Sequence, residues 1–168
     1  MLSGCTSLTT APELPATILA NYCYFGMFYK CSTLTTAPSL PATTLADYCY
    51  FDMFSRCTSL TTTPSLPATT LTKSCYYYMF SNCTGLTIVP SLPATTLTKN
   101  CYSYMFYGCT SLNYIKAMFT TTPSTTYTNY WVSGVSSRGT FVKNSAATWN
   151  VTGTYGIPSG WTVQTASA

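Results

Sequence analysis

Residues 57–82 read CTSLTTTPSLPATTLTKSCYYYMFSN, and close copies of this string precede and follow it. The nine cysteines show the repeat most plainly, since the intervals between them alternate between 18 and 8 residues. The period is therefore 26 residues, and full units occupy residues 5–30, 31–56, 57–82 and 83–108. A repeat of this length predicts a solenoid, in which each unit forms one coil and neighbouring coils bury each other's apolar side chains.

The repeat is lost after Leu112, which divides the chain into two parts. Residues 1–112 form the repeat region, with partial units at its ends. Residues 113–168 are expected to form an atypical, β-rich C-terminal cap over the apolar end of the solenoid. Met1 and Leu2 occupy the Met-Phe position of the unit, so the chain opens within a coil. We expect either a piece of a longer array or an incomplete first coil.

Each unit contains a pattern for two short elements. Residues 57–63 are rich in β-branched side chains and end at Pro64, which favours a short strand followed by an extended turn. Leu71, Cys75 and Met79 recur at every fourth residue, which predicts a short helix with one buried face. The expected fold class is therefore α/β, with one short strand and one short helix in every coil.

The string MFSRCTSL at residues 53–60 resembles the BspA-type leucine-rich repeat, in which Ala-Phe, two residues, Cys, two residues and Leu precede a strand and a proline. Counterparts recur at Cys31, Cys83 and Cys109, so the resemblance covers roughly residues 1–119. Met replaces the usual Ala, and the unit of 26 residues is longer than that family's unit of about 23. The resemblance implies a leucine-rich-repeat solenoid and a bacterial, protozoan or phage-associated surface protein that adheres to host proteins or other cells.

The composition argues against catalysis and against several kinds of partner. The chain contains no histidine, which excludes Ser-His-Asp and Cys-His arrangements and imidazole metal sites. Its carboxylates are Glu13, Asp47 and Asp52, and the other units carry no acidic residue at the positions of the last two, which favours a solvated face. The seven basic residues are scattered, so the net charge of +4 gives no phosphate-binding stripe. We therefore expect no enzyme activity, no cofactor, no metal and no nucleic acid.

The cysteines have two interpretations that the sequence leaves open. They lack the Cys-x-x-Cys spacing of zinc knuckles. Successive coils lie about 5 Å apart, which is within reach of a disulfide, yet stacked thiols can equally serve as small buried hydrophobic groups. We expect a structural core ladder of Cys5, Cys23, Cys31, Cys49, Cys57, Cys75, Cys83, Cys101 and Cys109.

Aromatic residues after the second cysteine of each unit are the candidate ligand-binding positions. On the expected helix Phe51 lies about 200° from Cys49 and would be exposed, whereas Tyr50 would lie at the boundary. The exposed set consists of Phe25, Phe51, Tyr77, Tyr78 and Tyr104. Such a stripe can bind a glycan or protein, or it can be a packing ridge between coils. The same choice, between a binding array and ordinary strand formers, holds for Thr9, Thr35, Thr61 and Thr87.

These patterns predict a non-catalytic adhesion or recognition protein that presents a repetitive Thr/Tyr surface. The expected partner is a protein or glycan on a host or neighbouring cell surface, and the expected location is extracellular, on a cell surface or on a virion. A structural spacer or a phage tail or fibre component is the alternative. No apolar stretch approaches the roughly 18 residues of a membrane span, and no signal peptide is visible, so we expect no membrane insertion.

Overall fold

The computed structural model describes residues 2–166, and within them the chain forms coils that lie on one another in register. Isolated parallel bridges join Thr10 to Thr36, Thr36 to Thr62 and Ile88 to Tyr114, each across 26 residues. Met1, in the expected incomplete first coil, and the last two positions of the expected cap lie outside the described residues. Each coil therefore places equivalent residues of the repeat directly beside one another.

The strands of the described residues are three and lie late in the chain: β1 (Tyr114–Ala117), β2 (Thr140–Asn144) and β3 (Thr162–Ala166). They form one open parallel sheet in the order β1-β2-β3. Tyr114 pairs with Thr140, and Thr140 pairs with Thr162. The earlier coils contribute only isolated bridges to this side of the stack, because the prolines that follow residues 10, 36 and 62 interrupt pairing.

The expected α/β leucine-rich-repeat solenoid, with a strand and a helix in every coil, is wrong. Residues 2–166 contain no helix, and the segments assigned to helices are chains of tight turns. Every fourth residue in these segments has a positive φ: in the third unit the values are 53° at Ser74, 56° at Tyr78 and 56° at Asn82. A right-handed helix cannot contain such residues, because it requires negative φ throughout.

Backbone hydrogen bonds show how the turns replace the helix. Amides of alternate residues close turns within the coil, as when the amide of Tyr77 donates to the carbonyl of Ser74 at 3.3 Å. The amides between them donate to the next coil, as when Tyr76 bonds Cys101 at 3.1 Å. Half of the donors in the segment therefore hold neighbouring coils together, whereas a helix would use them internally.

Coil spacing explains why turns are the compatible structure. Strands pair at about 4.8 Å, whereas an α-helix with its side chains is about 10 Å wide. Turn segments stack at the strand spacing, since the rings of Phe54 and Phe80, one coil apart, have centroids 5.5 Å apart. The two sides of each coil thus advance together along the stack.

The core is a set of columns inside the stack. Fully buried phenylalanine rings and fully buried tyrosine rings follow each other from coil to coil at 5.4–6.0 Å. The phenylalanine column is Phe28, Phe54, Phe80 and Phe106, and the tyrosine column includes Tyr50, Tyr76 and Tyr102. Tyr50 therefore lies in the core rather than at the boundary expected for a helix.

Coil pairing continues past Leu112, where the sequence repeat is lost. The amides of Phe106 and Gly108 donate to the carbonyls of Trp131 and Ser133, with the same offset of 25 residues that joins the earlier coils. The indole of Trp131 is fully buried and donates to the carbonyl of Gly156 at 2.9 Å. Residues after 112 therefore extend the stack with different side chains.

Candidate functional site

The five aromatic residues predicted to bind a ligand lie together on one surface of the stack. Phe25 stacks on Phe51 with ring centroids 4.9 Å apart, and Phe51 stacks on Tyr77 at 5.0 Å. Tyr78 stacks on Tyr104 at 4.5 Å. An edge-to-face contact of 4.7 Å between Tyr77 and Tyr78 joins the two columns. The structure thus places the predicted residues in one continuous set of ring contacts.

Sequence reasoning missed four members of this surface. Tyr22 stacks on Tyr48 at 4.7 Å and 4°, and Tyr104 contacts both Tyr107 and Tyr130. The 26-residue offset between Tyr22 and Tyr48, and between Tyr104 and Tyr130, is the signal that could have found three of them. We call the whole set the aromatic stripe: Tyr22, Phe25, Tyr48, Phe51, Tyr77, Tyr78, Tyr104, Tyr107 and Tyr130.

Ring orientation limits what the first coils of the stripe can bind. The Tyr22–Tyr48, Phe25–Phe51 and Phe51–Tyr77 pairs have interplanar angles of 4°, 20° and 17°. Neighbouring rings therefore cover each other's faces and turn their edges and hydroxyls to solvent. This part of the stripe can supply hydrogen bonds and edge contacts more readily than flat stacking faces.

The rings open around Tyr104. Its interplanar angle is 31° with Tyr130 and 54° with Tyr107, so the regular column ends there. Tyr130 is 45% exposed and Tyr107 is 39% exposed. Faces that are covered in earlier coils are therefore partly accessible at this end of the stripe.

A groove runs beside these open rings. It consists of two adjoining hollows of about 220 and 470 Å³, which share Arg56, Tyr78, Ser81 and Asn82. The smaller hollow extends to Tyr29, Phe51, Asp52 and Ser55, and the larger one to Tyr104, Tyr107 and Tyr130. We call these residues together the tyrosine groove.

Glycine creates the space in the groove. Lys30, Arg56 and Asn82 occupy the same position in successive units, and the next two units have Gly108 and Gly134 there. All five residues have positive φ, between 56° and 78°. The absence of side chains at residues 108 and 134 leaves the flank of Tyr104 open. A side chain at residue 108 would also collide with the carboxamide oxygen of Asn82.

Polar groups line the opposite end of the groove. The amide nitrogen of Asn82 donates to the hydroxyl of Ser81 at 3.0 Å. Burial raises the pKa of Asp52, and a hydrogen bond from Ser55 and the positive charge of Arg56 oppose that rise. Burial also raises the pKa of Tyr78 to about 12, so its hydroxyl is a hydrogen-bond donor at neutral pH. The groove combines donors, acceptors and aromatic surface.

A second hollow, of about 510 Å³, lies over the first coil and lacks this combination. Its lining is Tyr22, Cys23, Tyr24, Phe25 and Met27, whose side chains are largely apolar. Nearby, the ammonium of Lys73 lies 5.3 Å from the ring centroid of Tyr48. A hydrogen bond with Lys73 lowers the pKa of Tyr48. This contact fixes an exposed ring and adds a positive charge beside the stripe.

The cysteines of the expected core ladder are all free thiols. Seven are buried, Cys5 is half-buried and Cys23 is exposed. The thiols of Cys57, Cys83 and Cys109 donate to carbonyls of the preceding coil at 3.0–3.1 Å. Burial raises the pKa of Cys57 and Cys109 to about 12, so these thiols remain protonated and unreactive at neutral pH. Their arrangement is that of packing groups.

The predicted threonine positions lie on another face of the coils. Thr9, Thr35, Thr61 and Thr87 are exposed. The hydroxyl of Thr61 donates to the carbonyl of Thr35 at 3.3 Å. Such a bond uses the threonine to join coils, and β-branched side chains also suit the extended backbone there.

Two further searches concern the described residues alone. Between residues 2 and 166, His, Cys, Asp and Glu side chains form no group of three or more that could hold a metal ion. That part of the chain also has no helix long and apolar enough to cross a membrane.

Comparisons of the chain with family models, curated proteins and solved structures each found no match. The resemblance to BspA-type repeats therefore stays a prediction.

Proposed function

We propose that this protein is a non-catalytic recognition module that binds a glycan or protein ligand through the aromatic stripe. The observation that carries the proposal is the continuity of the stripe, which extends over successive coils from Tyr22 to Tyr130. Clusters of accessible aromatic residues are typical of binding surfaces, because each ring offers a large apolar area with few rotatable bonds.

The surrounding surface supports recognition rather than catalysis. Buried thiols with raised pKa values supply no nucleophile, and the carboxylate of Asp52 lies beside Arg56 rather than beside a second carboxylate. Tyrosine hydroxyls along the stripe supply hydrogen bonds, and Arg56, Asn82 and Lys73 add polar contacts at its margin. The ligand that we propose is presented by a host or neighbouring cell, and the protein acts outside the cell or on a virion.

A binding screen with a matched pair of variants tests this function. The protein is applied to an array of neutral glycans, acidic glycans and extracellular-matrix proteins, together with the double variant Phe25→Ser/Tyr104→Ser. Ile88→Ser, which alters an exposed apolar side chain outside the stripe, is the control. We expect the double variant to lose at least about tenfold in affinity for the ligand and Ile88→Ser to retain it.

Two results would contradict the proposal. Binding that survives in Phe25→Ser/Tyr104→Ser would place the ligand elsewhere. Absence of binding to every glycan and protein would favour the structural alternative, a spacer or a phage tail or fibre component. The specific observation behind that alternative is the ladder of amide-to-carbonyl bonds that joins successive coils along the stack.

A further inference from the structure

We infer that the tyrosine groove is a binding site for a neutral linear oligosaccharide. This inference rests on the proposed function and deepens it, since it assigns one ligand class to one part of the aromatic stripe. The argument has four steps: accessible ring faces, planar polar groups, balanced charge and length.

The groove is the part of the stripe where ring faces turn toward open space. Upstream pairs are nearly parallel, as in the 4° between Tyr22 and Tyr48, whereas Tyr104 makes angles of 31° and 54° with its neighbours. Gly108 and Gly134 leave no side chain over this region. A pyranose ring has an apolar C–H face that packs on an aromatic face, so the site needs such open faces.

Planar polar side chains lie within the same groove. Arg56 offers a fork of donors, Asn82 offers both a donor and an acceptor, and Asp52 offers acceptors. Neighbouring sugar hydroxyls each donate and accept, so a set of this composition can bind them in pairs. A few polar groups within a mainly aromatic lining is the arrangement that orients small ligands in concave sites.

Charge and length narrow the ligand. Arg56 and Asp52 carry opposite charges and lie close enough for the guanidinium to affect the carboxyl. The groove thus has no net excess of charge from these groups, which favours a neutral sugar over an acidic one. From Asp52 to Tyr130 it passes through three coil intervals, or about 14 Å at the strand spacing, which is the length of a short oligosaccharide.

Calorimetric titration with defined sugars tests the inference. The probes are linear hexasaccharides of glucose, mannose and N-acetylglucosamine, together with oligogalacturonate and a sialylated trisaccharide as acidic counterparts. The full chain is compared with Tyr104→Ala, Arg56→Gln and Phe25→Ser. Arg56 and Phe25 are exposed, so their variants are expected to fold, which is checked by an unchanged urea midpoint.

We expect at least one neutral hexasaccharide to bind. Tyr104→Ala should weaken that binding by about tenfold or more and Arg56→Gln by several-fold, while Phe25→Ser, at the far end of the stripe, should not change it. Three results would overturn the inference: no binding of any neutral sugar, exclusive binding of the acidic sugars, or equal binding by wild type, Tyr104→Ala and Arg56→Gln.

The outcomes separate this inference from the proposed function. If no neutral sugar binds but a matrix protein binds and is lost in Phe25→Ser/Tyr104→Ser, the recognition function stands and the oligosaccharide site falls. If no array ligand binds at all, both fall together.

Discussion

The thiol of Cys83 lies 3.0 Å from the carbonyl oxygen of Phe54 and donates a hydrogen bond to it. The same carbonyl accepts the amide of Cys57 at 3.0 Å, so one oxygen closes a turn and joins two coils. Cys57 and Cys109 make equivalent bonds with Phe28 and Phe80. The first cysteine of a unit therefore fastens that unit to the preceding one.

Replacing Cys83 with alanine should destabilise the protein by about 1–2 kcal/mol, because a fully buried thiol and its hydrogen bond are both lost. The measurement is the free energy of unfolding from urea titration. Cys23→Ala is the control, since Cys23 is exposed and its thiol lies 4.0 Å from the nearest carbonyl partner. Equal stability of Cys83→Ala and wild type would contradict a structural role for the ladder.

Stability should fall as the solution becomes alkaline. Burial raises the pKa of Cys109 from 9.0 to about 12, so the folded state keeps a proton that the unfolded state has lost between these values. The stabilisation is complete below about pH 9 and declines by about 1.4 kcal/mol per pH unit until the folded thiol also ionises near pH 12. Urea titrations from pH 7 to pH 11 measure this slope.

Cys109→Val serves as the control for the alkaline effect, since valine fills similar space without a titrating group. Its unfolding free energy should fall less steeply with pH than that of wild type. The remaining slope comes from the other buried thiols and from buried tyrosines such as Tyr76, whose pKa is also raised by burial. Parallel slopes in wild type and Cys109→Val would show that Cys109 is not a buried, protonated thiol.

Residue 30 should tolerate glycine better than valine. Lys30 has φ 60°, and the equivalent residues Gly108 and Gly134 have 70° and 78°. A β-branched side chain is strained at such angles, so Lys30→Val should be less stable than Lys30→Gly by about 1–2 kcal/mol. Thermal and urea unfolding of both variants measure the difference. On a regular helix the order would reverse, because valine is a better helix residue than glycine.

Far-ultraviolet circular dichroism should lack the double minimum of α-helices. The basis is the absence of helix from residues 2–166, where tight turns occupy the segments between the cysteines of each unit. A spectrum with one short helix per coil would contradict the turn structure. The same sample, measured in near-ultraviolet light, should show strong aromatic bands, because rings such as Tyr76 and Phe80 are fixed in buried columns.

The failure of the helix prediction has a physical cause that the sequence contains. Leu71, Cys75, Met79 and Cys83 are spaced by four residues without exception, whereas a helix has about 3.6 residues per turn. Over these three steps a helical stripe would drift by about 120°. A strict period of four instead suits turns that repeat every four residues. Asn, Gly and Asp at the positive-φ positions of some units give the same signal, although tyrosine and lysine at others obscure it.

The candidate site could be predicted in part. Exposure of Phe51 and its partners was argued from a helix that does not exist, yet the 26-residue offset still places Phe25, Phe51 and Tyr77 in one column. The groove could not be foreseen. It depends on Gly108 and Gly134 lying beside Tyr104, and these residues come together only when the turn segments stack.

Sequence alone was enough to determine the period of 26 residues and which side chains are neighbours in adjacent coils, because equivalent residues of a stacked repeat occupy equivalent places. Only the tertiary structure decided that turns replace helices. The reason is that amides such as that of Tyr76 bond the next coil, and coils about 4.8 Å apart leave no room for a helix. Tertiary structure also decided which aromatic faces stay covered and which open beside Tyr104.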